Sequence, residues 1–121
     1  MHILMCNDDG ILADGLRHLA SYLSQYYRIT VVAPANEQSA KSHALTTEVP
    51  LKLDACNGED ENPRLYALTG TPSDCMKFGL SYLLADDMPD LVISGINHGF
   101  NLGSDVLYSG TVSAAMESAF Y

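Results

Sequence analysis

The chain has 121 residues, 47% of them hydrophobic, which allows one domain with a real core and excludes a mainly disordered chain. Fifteen acidic against six basic side chains give a formal charge of −9, which argues against nonspecific nucleic-acid binding and against attachment to an anionic membrane. An acidic protein that handles phosphates needs cations or backbone N–H groups at its site, because so few Lys and Arg are at hand.

The elements alternate in a regular way along the chain. His2-Ile3-Leu4-Met5-Cys6 is a short apolar run and reads as a buried strand, with Asn7-Asp8-Asp9-Gly10 directly at its exit. Leu16, Leu19, Ala20 and Leu23 then recur at helical spacing, predicting an amphipathic helix from Gly15 to about Tyr27. Ile29-Thr30-Val31-Val32-Ala33 is β-branched and apolar, and Pro34 stops it. Strand, helix and strand in this order form the βαβ unit of a parallel sheet. Residues 35–48 are polar and without period, a long loop or lid of the kind that is often functional.

Val49–Leu53 and Arg64–Leu68 are predicted strands that flank an acidic, solvated hairpin loop, Asp54–Pro63. Thr71-Pro72-Ser73-Asp74 opens a helix with a Thr N-cap, a Pro at the first position and an acid at the capping-box position. Met76, Leu80, Leu83 and Leu84 are its expected buried stripe. Asp90–Ser94 is a further buried strand, ending at Gly95. After the glycine-rich segment 95–110, Val112, Ala115, Met116, Ala119 and Phe120 form an apolar stripe that predicts a last helix. No stop signal follows, so the chain is expected to be a fragment of a longer protein, truncated on its C-terminal side.

Three cysteines, Cys6, Cys56 and Cys75, are odd in number and widely spaced, without a C-x-x-C pair. That pattern fits a reducing compartment and neither a disulfide framework nor a zinc site, and Cys6 and Cys75 read as small core residues. With no basic leader and no apolar stretch of membrane-spanning length, the expected location is cytoplasmic.

The chemistry-bearing segments all fall at the carboxyl ends of predicted strands, where open parallel sheets bind ligands. Two adjacent carboxylates at the exit of a buried strand each raise the cost of ionising the other, and a hard divalent cation removes that cost. Asp-Asp-Gly is also an ordinary turn. Gly95 to Gly110 holds four glycines with Asn97 and Asn101, a stretch that lets backbone approach a ligand closely or simply forms a structural loop. Tyr108-Ser109-Gly110-Thr111 leads into the last helix, whose free N–H groups suit an anion; an ordinary Ser or Thr N-cap is the other reading. Neither G-x-x-x-x-G-K-[ST] nor a G-x-G-x-x-G after the first strand is present. Among the histidines, His2 and His18 fall on a strand and a helix and have no expected catalytic role. His43 lies in the polar loop, and His98 is the best candidate for a proton donor.

Taken together the chain resembles the SurE (survival protein E) family of metal-dependent nucleotide phosphatases. The motifs are Asn7-Asp8-Asp9-Gly10, Val32-Ala33-Pro34, Gly70-Thr71-Pro72-x-Asp74-Cys75, Ser94-Gly95-Ile96-Asn97-x-Gly99-x-Asn101-x-Gly103, and Tyr108-Ser109-Gly110-Thr111-Val112-x-Ala114-Ala115-Met116-Glu117. Their order extends over nearly all of residues 1–121, which would make the chain a single, incomplete α/β nucleotidase domain. The resemblance implies a Rossmann-like three-layer α/β/α core with a mostly parallel sheet, and one divalent cation, Mg²⁺ or Mn²⁺. It implies Asp8, Asp9, Ser39 and Asn97 as metal ligands, with Asp8, Asp9 and Asn97 also catalytic. Asn101, Ser109, Gly110 and Thr111 would hold the phosphate. The implied activity is hydrolysis of nucleoside 5′- or 3′-monophosphates, with short polyphosphate as a further substrate of some members.

Three departures stand out. Gln38-Ser39-Ala40 replaces a frequent Arg-Ser-Gly, which leaves Ser42 as a competing ligand for Ser39. Ala13-Asp14-Gly15 stands where Ala-Pro-Gly is usual. The family's C-terminal half, which builds its homo-oligomer, is missing.

These residues together point to a metal-dependent phosphomonoesterase of nucleoside monophosphates, with no duplex nucleic acid and no membrane as expected partner. One rival is a nucleotide- or metal-binding fragment without turnover. Another is a receiver-type signalling domain with Asp54 as phospho-acceptor, for which the required lysine near the last strand is absent. Within the enzyme reading, Asp8 or Asp9 as a nucleophile is the alternative to an activated water.

Overall fold

The computed structural model describes residues 1–37 and 49–121. Its strands are β1 (His2–Cys6), β2 (Arg28–Pro34), β3 (Leu53–Ala55), β4 (Arg64–Leu68) and β5 (Leu91–Ser94). Its α-helices are α1 (Asp14–Leu23), α2 (Pro72–Phe78) and α3 (Gly110–Ser118). A π-helical turn, Gly79–Leu83, continues α2, and a 3₁₀ segment, Gly103–Tyr108, precedes α3.

The five strands form one sheet in the order β3-β4-β2-β1-β5. β1 lies between β2 and β5, parallel to both, with Ile3 opposite Ile29 on one side and Leu91 on the other. β4 is parallel to β2, and β3 alone runs antiparallel, paired with β4 at the edge. The central position explains why β1 and β2 are near-continuous apolar runs, since both of their faces are covered. Alternate residues serve the two sides. Ile3, Met5, Ile29, Val31 and Ala33 pack with Leu16 and Ala20 of α1. Leu4, Cys6 and Val32 pack with Cys75, Met76, Leu80 and Ala114 on the other face. The result is the three-layer, Rossmann-like α/β/α arrangement expected from the alternation of elements. Burying side chains such as Ile3, Leu4 and Met5 completely contributes about 1.5–3 kcal/mol each.

α2 begins as its motif predicts. The Thr71 hydroxyl accepts from the Asp74 amide at 3.2 Å and the Asp74 carboxylate accepts from the Thr71 amide at 2.8 Å, a complete capping box with Pro72 at the first helical position. Met76, Leu80 and Leu84 are buried as expected, and Leu83 is partly so.

Several boundaries and one face differ from the sequence reading. α1 ends at Leu23, because residues 24–27 must turn back to feed β2, whose first residue is Arg28. Val49–Lys52 are not strand; only Leu53–Ala55 pair with β4. The 3₁₀ segment carries no apolar period and was invisible to pattern. In α3 the expected apolar stripe is not the buried face: Met116 is 55% and Phe120 77% exposed, while Thr111, Ser113, Ala114 and Glu117 are buried. Small side chains let α3 pack closely on α2 and β5, so the close-packed face, not the most apolar one, turns inward.

Candidate active site

Asn7-Asp8-Asp9-Gly10 forms a turn at the carboxyl end of the central strand. The Asn7 amide closes it: its Nδ2 donates to the Gly10 carbonyl and its Oδ1 accepts from the Gly10 amide, each at 3.1 Å. Gly10 has φ +102°, and a Cβ there would come within 3.3 Å of the Pro34 carbonyl, so the turn lies tight against the end of β2. The Ile11 amide donates to that same carbonyl at 2.8 Å. Asn7, fully buried, thus fixes the direction of the two carboxylates. The sequence reading gave it no role of its own; its signal was an Asn three positions before a turn Gly.

The turn and the acidic pair are both real, and they are the same structure. Asp8 is only 6% exposed, and Asp9 is half-buried beside it. The Thr111 hydroxyl donates to Asp8 Oδ1 at 3.0 Å, and the His98 backbone amide donates to Asp9 Oδ2 at 3.0 Å. Burial pushes the Asp8 carboxyl above its ordinary range, opposed by the Thr111 hydrogen bond and reinforced by the charges of Asp9 and Glu37.

The start of α3 abuts Asp8. Ser109 caps the helix, its hydroxyl accepting from the Val112 amide at 3.2 Å. A Cβ on Gly110 would lie 2.8 Å from the Asp8 Cβ and 3.1 Å from Pro72 Cγ, so only glycine permits this approach. The Ser94 hydroxyl donates to the Thr111 carbonyl, tying β5 to the same helix turn. Thr111 and Ser109 therefore have structural partners of their own, as well as positions at a helix N-terminus beside Asp8.

The loop after β5 supplies the other wall. Asn97 is half-buried and donates its side-chain N–H to the Gly99 carbonyl at 3.1 Å. It lines, with Asp9 and His98, a cavity of about 390 Å³. Of His98, the backbone amide rather than the ring meets Asp9, and the residue is exposed. Asn101 is half-buried with no hydrogen bond to the acidic pair. Ser39, Ser42 and His43 lie outside the described residues. His2 is at the opposite end of β1, bonded to Thr30 at 2.9 Å, and His18 is exposed on α1. Asp54 sits on the antiparallel edge strand, with β4 and β2 between it and β1, which removes the geometry a receiver domain requires.

Among the described residues no three His, Cys, Asp or Glu side chains converge as a cluster. What the carboxyl end of β1 offers is two carboxylates and the amide oxygen of Asn97. Those are hard oxygen donors, and a buried carboxyl pushed up by its surroundings is the group a divalent cation relieves. The residues present fit Mg²⁺ or Mn²⁺ and do not fit a thiolate-bound metal, since Cys6 and Cys75 are sealed in the core.

The family model described as survival protein SurE matches residues 3–121. The chain is 54% identical over 121 residues to a protein of Thermoanaerobacter sp. (strain X514) named 5′-nucleotidase SurE, covering all of this chain and 47% of that protein. It is 52% identical over 120 residues to the 5′-nucleotidase SurE of Vibrio vulnificus (strain YJ016), covering 99% of this chain and 45% of the relative. The crystal structure of the SurE protein from Aquifex aeolicus superposes with a TM-score of 0.84 at 42% identity, over 99% of this chain and 47% of that one. The chain therefore spans about half the length of the relatives it matches.

Proposed function

The chain belongs to the SurE family, and on that premise we propose that it carries the cation- and phosphate-binding half of a metal-dependent nucleoside monophosphate phosphatase. The observation that carries the reading is the buried Asp8, held by Thr111 at the start of α3 with Asp9 at its side. It puts paired negative charge and a helix N-terminus in contact, so a cation and a phosphate can lie next to each other there.

In this reading Asp8, Asp9 and Asn97 hold Mg²⁺ or Mn²⁺, with Ser39 or Ser42 as the further ligand expected from the motif. The cation, when bound, neutralises charge on the phosphate and lowers the pKa of an attacking water. Ser109, Gly110, Thr111 and Asn101 form the phosphate side, where the N-terminus of α3 favours the phosphate's negative charge. Hydrogen bonds from the Thr111 hydroxyl and the His98 amide orient the two carboxylates, and one of the pair accepts the water's proton. Hydrolysis at 5′ and 3′ esters, and of short polyphosphate, follows the same chemistry because only the phosphoryl group must be held. The protein is read as cytoplasmic, and no helix among the described residues is long and apolar enough to cross a membrane.

Phosphate release from AMP with Mn²⁺ tests the reading. Asp9→Asn should lower turnover by orders of magnitude with the circular dichroism spectrum unchanged, and near-normal turnover in that variant would sink the assignment. Because the chain spans 47% of its relatives, a second reading is binding of cation and nucleotide without turnover. AMP binding with no phosphate release would select it.

A further inference from the structure

Ser94 is the last residue of β5 and lies opposite Cys6, the last residue of β1, in the parallel register. Alternation along the strand sets its direction. Ile93 packs on the α1 side of the sheet, and Val92 packs on the other side against the cluster of Leu4, Cys6 and Ala114. Ser94 therefore faces α3, and its hydroxyl donates to the Thr111 carbonyl in the first turn of that helix. That carbonyl keeps a second lone pair for the helix amide four residues on, so satisfying the backbone does not require Ser94. The same residue, Thr111, gives its own hydroxyl to Asp8 Oδ1 at 3.0 Å. A third bond closes the circuit, from the Gly95 amide to the Cys6 carbonyl at 2.8 Å. β1, β5 and the start of α3 are thus joined in a ring that runs from Asp8 back through Cys6, Ser94 and Thr111.

Resting on the cation reading above, we infer that Ser94 is a positioning residue for the cation site, acting through Thr111 on Asp8. The Thr111 side chain is β-branched and stiff, so where its hydroxyl lies follows from where its backbone is held. Gly110 lets that backbone lie against Asp8, where a Cβ would come 2.8 Å from the Asp8 Cβ, but contact alone fixes neither the rotation nor the slide of the helix start. The Ser109 cap bonds within α3 and orders its first turn only relative to the helix itself. Ser94 supplies the bond that ties this turn to the strand, and so sets the Thr111 hydroxyl against Asp8 Oδ1. Its hydroxyl proton is committed to the helix, and its effect on Asp8 passes through Thr111. Hydrogen-bond partners that orient a metal ligand change metal affinity by about 10–100-fold when they are lost.

The test is a double-mutant cycle read by Mn²⁺ calorimetry and by urea unfolding of the cation-free chain, with circular dichroism showing each variant folded. Ser94→Ala should weaken Mn²⁺ binding about tenfold. Ser94→Thr, which keeps the hydroxyl on a strand residue, should recover most of that loss. In the Thr111→Val background, where the bond to Asp8 is already gone, Ser94→Ala should change Mn²⁺ affinity by less than about twofold. The urea cycle should show the same non-additivity. A residue that merely anchored α3 would cost the same in both backgrounds, because its effect would not pass through the Thr111 hydroxyl. Additive losses in either measurement, no loss in Ser94→Ala, or a folded Ser94→Thr as weak as Ser94→Ala overturns the positioning role and leaves the cation reading standing. No Mn²⁺ binding by the unsubstituted chain overturns both.

Discussion

The Thr111 hydroxyl donates to Asp8 Oδ1 at 3.0 Å, joining the start of α3 to the exit of β1 across 103 positions of sequence. One hydrogen bond therefore connects the Asp8-Asp9 turn to the first turn of α3. Thr111→Val keeps the shape and removes the donor. Because a buried carboxylate loses a partner, the variant should lose about 1–3 kcal/mol of stability in urea unfolding. Asp8 should also shift further upward, since the Thr111 bond is what opposes burial there. Mn²⁺ affinity should fall with it.

Gly110→Ala tests the close approach on the same helix. Its Cβ would meet the Asp8 Cβ at 2.8 Å and Pro72 Cγ at 3.1 Å, neither of which is the end of a flexible chain. Overpacking of this kind costs about 1–3 kcal/mol. Thermal unfolding should show that loss, and calorimetry should show weaker cation binding because Asp8 is displaced. Gly58→Ala, in the acidic hairpin loop where the nearest atom is a Glu61 side-chain carbon at 3.6 Å, should change neither.

Thr71→Ala removes the hydroxyl half of the α2 capping box. The loss should be at least about 1 kcal/mol by urea unfolding. Thr71→Ser, which keeps the acceptor, should recover most of it.

His2 gives the chain a pH dependence far from the acidic pair. Burial, helped by the Arg28 charge, holds its pKa below the ordinary 6.5, against the opposing charges of Asp87 and Asp90. Asp87 Oδ2 lies 3.7 Å from Nδ1, and Thr30 Oγ1 lies 2.9 Å from Nε2. The unfolded chain takes up a proton below 6.5 that the folded chain resists. Stability is thus fully present above that value and is lost as pH falls through the window beneath it. His2→Gln should flatten the difference in unfolding free energy between about pH 7.5 and about pH 5.5. An unchanged slope would place the titration elsewhere.

The fold was legible where pattern is strong. β1 and β4 fall at the predicted residues because continuous apolar runs in a central strand and a paired neighbour leave little freedom. α2 starts where Thr71, Pro72 and Asp74 dictate. α3 shows the limit: Met116 and Phe120 formed the most apolar stripe, yet a helix that must approach Asp8 and α2 closely turns Gly110, Thr111, Ser113 and Ala114 inward. Hydrophobic period cannot report that choice, because steric fit decides it. The places of Asp8 and Asp9 after β1 and of Asn97 after β5 were readable from the order of strands. That Asp14 and Glu37 line the cavity beside Asp9 was not, since a lone acid in a first helical turn and another in a polar loop look like solvated charge. Only the sheet order β4-β2-β1-β5 brings them to the same crevice as Asp9.

The central claim is that the carboxyl end of β1 holds a divalent cation through Asp8 and Asp9. Titration calorimetry with Mn²⁺ on the chain and on Asp8→Asn and Asp9→Asn, each shown to be folded by circular dichroism, tests it most directly. The account predicts one cation bound by the chain and binding lost in both variants. It also predicts that cation-free Asp8→Asn is the more stable protein, because a buried carboxyl has been replaced by a neutral amide. Uptake of Mn²⁺ that persists unchanged in either folded variant would contradict it.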